Sequence, residues 1–504
     1  MPELKRFFYK YQNVFLLLIS VLIFALENPF LSWFTFTPVL FLVRKLNFKS
    51  SIVYGGIYGV LCYTFYAPWL LKFSIASMVL VDILYFFLCA VLFLLLYFTL
   101  KLKNRYRPLV ILSVLIFYEF IKTKGFAGFG YGLTGYTQWK NLYIIQISDI
   151  AGVFAVCALM DFCSVVVYEA LSAAFAGKFS ARELVYIIIF QIIFVLNIVY
   201  GFVHVSMIQA RDEKLEKVKV ALIQHNPDTS KTDFASYEDW VKTLTEISFR
   251  ALDEKSENPE SPENKISLVV WPETAVIPSI RKNLGEGAGQ ERKILVTELL
   301  GFIKNQNASF LIGNFDKDGD KDYNAAFFFE NYEKNAPCEK LPAEVTASDF
   351  FSTAKFYRKI HLVPFSECLP FGIKFPQYSA YAEKKNNMLW EKGTERTVFC
   401  LKDSGLKFAS PICFEDTFGL DCRRFYKAGA RAFISIGNDA WSKSRRCQRQ
   451  HLKMAVFRSV ENHVPTARCF SSGETCIISS TGKIVKSAGA FEETYLTGEI
   501  PVLP

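Results

Sequence analysis

Residues Leu406–Phe418 read LKFASPICFEDTF. The apolar run Phe408 to Ile412 predicts a short buried strand, and the chain then presents Cys413 at the strand's end, followed at once by Phe414, Glu415 and Asp416. A thiol attacks only as its thiolate, so a cysteine in this place does chemistry only if other residues bring it a base and a partner for an oxyanion. Two further stretches can do so. WPETA sets Glu273 just past the apolar run Leu268 to Trp271, and YRKIHLVPFSE sets Lys359 after an extended segment. Taken singly, the cysteine reads as a small buried hydrophobe, the glutamate as an acid at a helix start and the lysine as a solvated charge. Together they predict a glutamate, a lysine and a cysteine at three strand ends.

Outward from that stretch, the chain of 504 residues is long enough for two or three domains. Its 51% hydrophobic residues and 49 phenylalanines are unevenly spread. Residues 1–205 are apolar runs broken by small basic clusters, residues 206–217 read as a linker, and residues 218–504 have the mixed composition of a soluble domain. The formal charge of +9 does not gather into a stripe or arm in the later half, which argues against a nucleic-acid partner.

Apolar segments run at 12–26, 30–43, 51–71, 78–100, 108–122, 151–175 and 184–205. A helix needs about 20 residues to cross the hydrocarbon core, so about seven spans are expected, three of them short. With the N-terminus in the cytoplasm, loops on that side carry twelve basic residues, among them Lys5, Arg6, Lys10, Arg44 and Arg107, against four (Lys72, Lys122, Lys124, Lys140) on the other. This asymmetry and an odd span count place residues 206–504 outside the cytoplasm. The first segment reads as a retained span, since no small-residue cleavage site follows it. Gly130, Gly132 and Gly135 formally match a dinucleotide fingerprint, but no strand precedes them, so the segment GFAGFGYGLTGYTQW is expected to be a flexible aromatic stretch near the outer surface, able to line an opening for lipid. Glu119, near a span's end, is either functional or reaches for the interface.

In the later half, strands are expected from Val218, over ISLVVW, ASFLIG, 325–330, 397–401, 406–412, 432–436 and 475–480, with helices near 237–251 and 293–305 and an acidic loop over LDEKSENPESPENK. DKDGDKD reads as a hairpin turn, because no bidentate glutamate follows at a calcium loop's spacing. Alternating strands and helices predict a layered α/β domain with sheets face to face and helices outside. Twelve cysteines include no CxxC pair, so zinc-ribbon and thioredoxin-like readings lack support; disulfides among the later cysteines other than Cys413 stay open. His204, His225, His361, His451 and His463 show no metal-ligand spacing and are read as structural, so no cofactor or metal is expected.

WPET at 271–274, KIHLVPFSE at 359–367, ICFE at 412–415, GNDAWS at 437–442 and RSVENHVPTARCFSSGET at 458–475, together with GYTQ at 135–138 between spans, carry a resemblance. The chain resembles the carbon-nitrogen hydrolase (nitrilase) superfamily and, more closely, its membrane branch, the apolipoprotein N-acyltransferases. The resemblance implies a multi-span α-helical membrane domain followed by a nitrilase-like four-layer α-β-β-α sandwich. It implies Glu273 as general base, Lys359 as the cation stabilising the tetrahedral oxyanion, Cys413 as nucleophile, and Glu367 and Glu415 in support. The implied reaction passes a fatty acyl chain from a phospholipid, through a cysteine thioester, to the α-amine of a diacylated lipoprotein. A monomer in the bacterial inner membrane, with its catalytic domain on the periplasmic side, is expected. An amidase releasing acid to water and a scaffold without catalysis are the alternatives. Ser366 and Phe414 stand where the family usually has Gly and Tyr, and TGEIPVLP closes the sequence where the family usually has a final membrane helix.

Overall fold

The computed structural model describes residues 2–125, 128–231, 233–253, 265–285, 287–331, 346–368 and 389–504, with side chains from Tyr11 onward. The chain divides into two compact units, Met1–Ser206 and Met207–Pro504. Most of the expected acidic loop (254–264), together with Cys338 and the side chains of Lys5, Arg6 and Lys10, lies outside the described residues.

In the first unit each expected apolar segment folds as a helix: Pro2–Leu26, Phe36–Lys45, Phe48–Tyr66, Ile75–Leu100, Arg107–Ile121, Val153–Phe175 and Ala181–Asp212. Among the described residues, three of them (Ile75–Leu100, Val153–Phe175 and Ala181–Asp212) are long and apolar enough to cross a membrane. Side-chain caps start two of the helices, with Asn47 accepting from the Ser50 N–H and Ser74 from the Ser77 N–H. Helices Phe48–Tyr66 and Ile75–Leu100 approach so closely that a Cβ on Gly59 would stand 2.1 Å from the Tyr85 carbonyl oxygen. Small residues permit this backbone contact between apolar helices.

Two expectations for this unit are corrected. The segment around Gly132 and Gly135 is a packed turn leading into the 3-10 helix Thr134–Gln138, with Tyr131, Leu133 and Tyr136 buried. Its backbone is tied down by the Tyr63 hydroxyl donating to the Tyr131 carbonyl (2.9 Å) and the Tyr85 hydroxyl donating to that of Phe129 (2.7 Å). Glu119 does not reach an interface but is fully buried, 2.9 Å from the Lys122 ammonium, because that cation lies one helical turn away on the same face.

The second unit holds two six-stranded sheets. The first contains β1 (Lys217–Gln224), β2 (Ile266–Val270), β3 (Ser309–Asp318), β4 (Lys321–Phe329), β5 (Lys355–Arg358) and β12 (Thr494–Pro501), in the order β12-β1-β2-β3-β4-β5. The second contains β6 (Phe399–Leu401), β7 (Leu406–Ala409), β8 (Ala432–Gly437), β9 (Thr466–Phe470), β10 (Cys476–Ile478) and β11 (Ile484–Ser487), in the order β11-β10-β9-β8-β7-β6. DKDGDKD forms the β3–β4 hairpin with Gly319 at φ +58°. Alternation along β1 sorts the layers. Val218, Val220 and Leu222 pack with Phe399, Phe408 and Ile434 between the sheets, whereas Ala221 and Ile223 pack outward with Val241 and Leu244 of helix Phe234–Asp253 and Val296 of helix Gln290–Lys304. Each large apolar side chain removed from water in this way contributes about 1.5–3 kcal/mol. With helices Gly419–Lys427 and Arg445–Asn462 on the second sheet, the result is the expected α-β-β-α sandwich. The described cysteines are all free thiols.

Candidate active site

Strands β2 and β5 lie in one sheet and β7 in the other, so residues just past their ends come together where the two sheets face each other. After β2 the chain is pinned before it turns. The Trp271 N–H donates to the Leu311 carbonyl (2.8 Å), the buried Trp271 indole donates to the Ser248 hydroxyl (2.8 Å), and Asn314 on β3 donates its side-chain amide to the carbonyls of Val276 (2.6 Å) and Pro278 (3.0 Å). Gly313 is required beneath this turn, since a Cβ there would stand 2.2 Å from the Pro272 carbonyl oxygen. These contacts hold Glu273, which is 5% exposed.

Lys359 continues the edge of β5 by donating its N–H to the Asn324 carbonyl (2.8 Å). Its ammonium is 1% exposed and reaches Glu273 Oε1 at 3.0 Å and Glu367 Oε1 at 2.9 Å. Asn324 Nδ2 donates to the same two oxygens, at 2.8 and 3.1 Å. Glu367 is fixed in turn by the Val363 N–H on its Oε2 (2.8 Å). Burial by itself depresses the Lys359 ammonium, but the fields of Glu273, Glu367 and Cys413 outweigh it and hold the group well above an ordinary lysine. One permanent cation therefore sits between two carboxylates.

Cys413 follows β7 with φ +52°, a left-handed conformation unfavourable for a residue with a Cβ, and opens a 3-10 turn over Cys413–Thr417. Glu415 supports this turn from below. Its Oε2 accepts from the Ile412 N–H (2.8 Å), and its Oε1 accepts from the Tyr357 hydroxyl (2.7 Å) and the N–H groups of Ile360 (2.7 Å) and His361 (3.0 Å). One buried carboxylate thus joins the cysteine turn to the lysine segment. The Cys413 thiol is half-buried; burial pushes it up, Glu273 pushes it further, and Lys359 pulls against both, leaving it well above an ordinary cysteine. A protonated thiol beside a carboxylate that can take its proton, with a fixed ammonium next to both, is suited to covalent acyl chemistry.

The structure brings together all five residues singled out in the sequence: Glu273, Lys359 and Cys413, with Glu367 and Glu415 around them. It adds others that the sequence reading passed over. Asn324 carries a signal in retrospect, as a polar residue inside the apolar strand YNAAFFF. Tyr357 carries none, since tyrosine is ordinary in a strand. His451, read as structural, stands with Asp416, Asp439 and Arg468 in a buried cluster within reach of Cys413, and Arg468 in the buried strand TARCF was the available hint.

A family model for the carbon-nitrogen hydrolases matches residues 219–502, and one for the apolipoprotein N-acyltransferase N-terminal domain matches residues 16–166. Apolipoprotein N-acyltransferase 1 of Treponema denticola is 32% identical over 533 residues, spanning 99% of this chain and 92% of the relative. Apolipoprotein N-acyltransferase 1 of Treponema pallidum is 32% identical over 528 residues, spanning 97% and 89%. Apolipoprotein N-acyltransferase of Borreliella burgdorferi is 28% identical over 418 residues, spanning 81% and 72%. Matched at both ends and along nearly its whole length, the chain belongs to the apolipoprotein N-acyltransferases, a membrane family built on the carbon-nitrogen hydrolase fold.

Proposed function

We propose that the protein transfers a fatty acyl chain from a phospholipid to the N-terminal α-amine of a diacylglyceryl-cysteine lipoprotein, through a thioester on Cys413. The observation that carries this reading is the Lys359 ammonium held between Glu273 and Glu367 beside the thiol of a left-handed turn. Glu273 takes the Cys413 proton as sulfur attacks the ester carbonyl of the phospholipid. Lys359 stabilises the resulting oxyanion, the carbon–oxygen bond breaks, and Glu273 returns the proton to the departing lysophospholipid oxygen. In the second half the α-amine attacks the thioester carbonyl, the carbon–sulfur bond breaks, and the amine proton passes through Glu273 to restore the thiol. The cycle is ping-pong and needs no cofactor.

Glu367 and Glu415 act on the site's geometry, the first by fixing Lys359 and the second by joining the two loops. The loop charge asymmetry supports placement in the bacterial inner membrane with residues 218–504 as the catalytic domain on the periplasmic side. We take the protein to act as a monomer, since one chain supplies Glu273, Lys359 and Cys413 to the site. Intact mass spectrometry of the protein incubated with phospholipid tests the reading. Acyl mass on Cys413 that neutral hydroxylamine removes and that discharges onto a diacylated lipopeptide amine is expected. Discharge to water alone would show an amidase.

A further inference from the structure

The proposed chemistry leaves unused a second buried charge cluster beneath the Cys413 turn. His451, on helix Arg445–Asn462, is 2% exposed. Its Nδ1 lies 2.9 Å from Asp439 Oδ2, and its Nε2 lies 2.7 Å from Asp416 Oδ1 and 3.2 Å from the Cys413 carbonyl oxygen. Carboxylate and carbonyl oxygens only accept, so a ring with both nitrogens facing them must carry a hydrogen on each. Charge balance gives the same answer. Arg468, fully buried on β9, stands 3.6 Å from both Asp416 and Asp439, and one guanidinium offsets only one of the two carboxylates. An uncompensated charge in this interior is strongly disfavoured, so the imidazole supplies the second cation. Burial opposes that charge, and Asp416 and Asp439 overcome it, lifting the ring to about 10.

The cluster also bears on the thiol. Cys413 Sγ, a carboxylate oxygen of Asp439 and a ring nitrogen of His451 lie within 4.8 Å of one another. The thiol feels Glu273 and Lys359 from the first sheet and Asp439 from the second, while Asp439 also faces the Cys447 thiol. With both nitrogens protonated, His451 has no lone pair to offer a metal, so the trio is a charge device.

We propose that His451 is a positioning residue for Cys413: as an imidazolium between Asp416 and Asp439 it offsets the carboxylate beside the thiol, and its Nε2–H braces the carbonyl of the left-handed turn. This rests on the reading of Cys413 as the nucleophile. No substrate contact is assigned to His451.

The test is the rate of Cys413 alkylation by iodoacetamide across pH, read by peptide mass spectrometry on the full-length protein. Loss of the cation in His451→Gln is expected to move the profile up by about one pH unit, roughly tenfold slower alkylation at a fixed pH below it. Loss of the neighbouring anion in Asp439→Asn is expected to move it down, and the double variant to return it toward wild type. A His451→Gln profile that overlays the wild type, or single variants that shift in the same direction, would overturn the proposal. If His451→Gln does not fold, the ring is read in the wild type: nitrogen NMR of labelled histidine showing both His451 ring nitrogens protonated at about pH 8 supports the role, and a neutral ring there removes it. Alkylation needs no phospholipid, so failure of the acyl-transfer reading, seen as no thioester on wild type, is a separate result.

Discussion

The protein buries a glutamate–lysine pair in each of its two units, and the pairs differ in what surrounds them. In the first unit Lys122 divides its hydrogen bonds between Glu119 (2.9 Å) and the Gly132 carbonyl (2.8 Å), while Glu119 accepts from the Thr134 N–H (3.3 Å). Those hydrogen bonds run within the pair and to the backbone of a turn, so the pair fastens the turn to helix Arg107–Ile121. The buried Asp161 carboxyl and the Cys89 and Cys157 thiols lie in its field, but neither of these thiols stands on a left-handed turn. In the second unit Lys359 faces two carboxylates, and a strained cysteine shares their field. A buried ion pair is therefore weak grounds for either stability or function until its neighbours are named.

Breaking the second pair and its thiol should abolish chemistry; breaking the first should loosen the fold. The largest effect is expected from Cys413→Ser and Cys413→Ala, which should form no hydroxylamine-sensitive acyl-enzyme; a thioester persisting in either would place the nucleophile elsewhere. Lys359→Met should slow acyl-enzyme formation by about 10²–10³-fold, the scale of losing one oxyanion donor. A single-turnover rate within a few-fold of wild type would remove it from the oxyanion role. Glu273→Gln keeps the shape but not the base and should lose about 10²-fold. Because burial and Glu273 hold the Cys413 thiol protonated at neutral pH, wild-type alkylation should climb as pH rises into the alkaline range. A plateau already reached at pH 7 would contradict this charge arrangement.

The smallest effect on rate is expected at the other pair. Lys122→Met leaves Glu119 buried without its cation, which should cost about 3–5 kcal/mol of stability. Turnover per folded molecule should stay within about twofold, measured alongside thermal unfolding. The double variant Lys122→Met/Glu119→Leu should recover much of the stability. If Lys122→Met instead unfolds at the wild-type temperature but loses turnover, the two pairs are alike after all and the contrast fails.

Sequence alone determined the features that depend on near neighbours. Apolar runs marked the helices of the first unit, short apolar stretches marked β1 to β3, and DKDGDKD announced its hairpin as a polar turn. Glu273, Lys359 and Cys413 were legible because each directly follows a strand-like run, a pattern visible within about ten residues. Strands β11 and β12 were not, because their side chains are mostly part-exposed or exposed, and β12 is defined chiefly by its antiparallel pairing with β1, its neighbour in space but far away in the sequence. The tertiary structure decided the rest: that Asn324 would bind the two glutamates, that Glu415 would join loops more than fifty positions apart, and that His451 would lie between Asp416 and Asp439. A residue's periodicity reports whether it is buried, whereas its charge state is set by every group the fold packs around it, and that sum exists only in three dimensions.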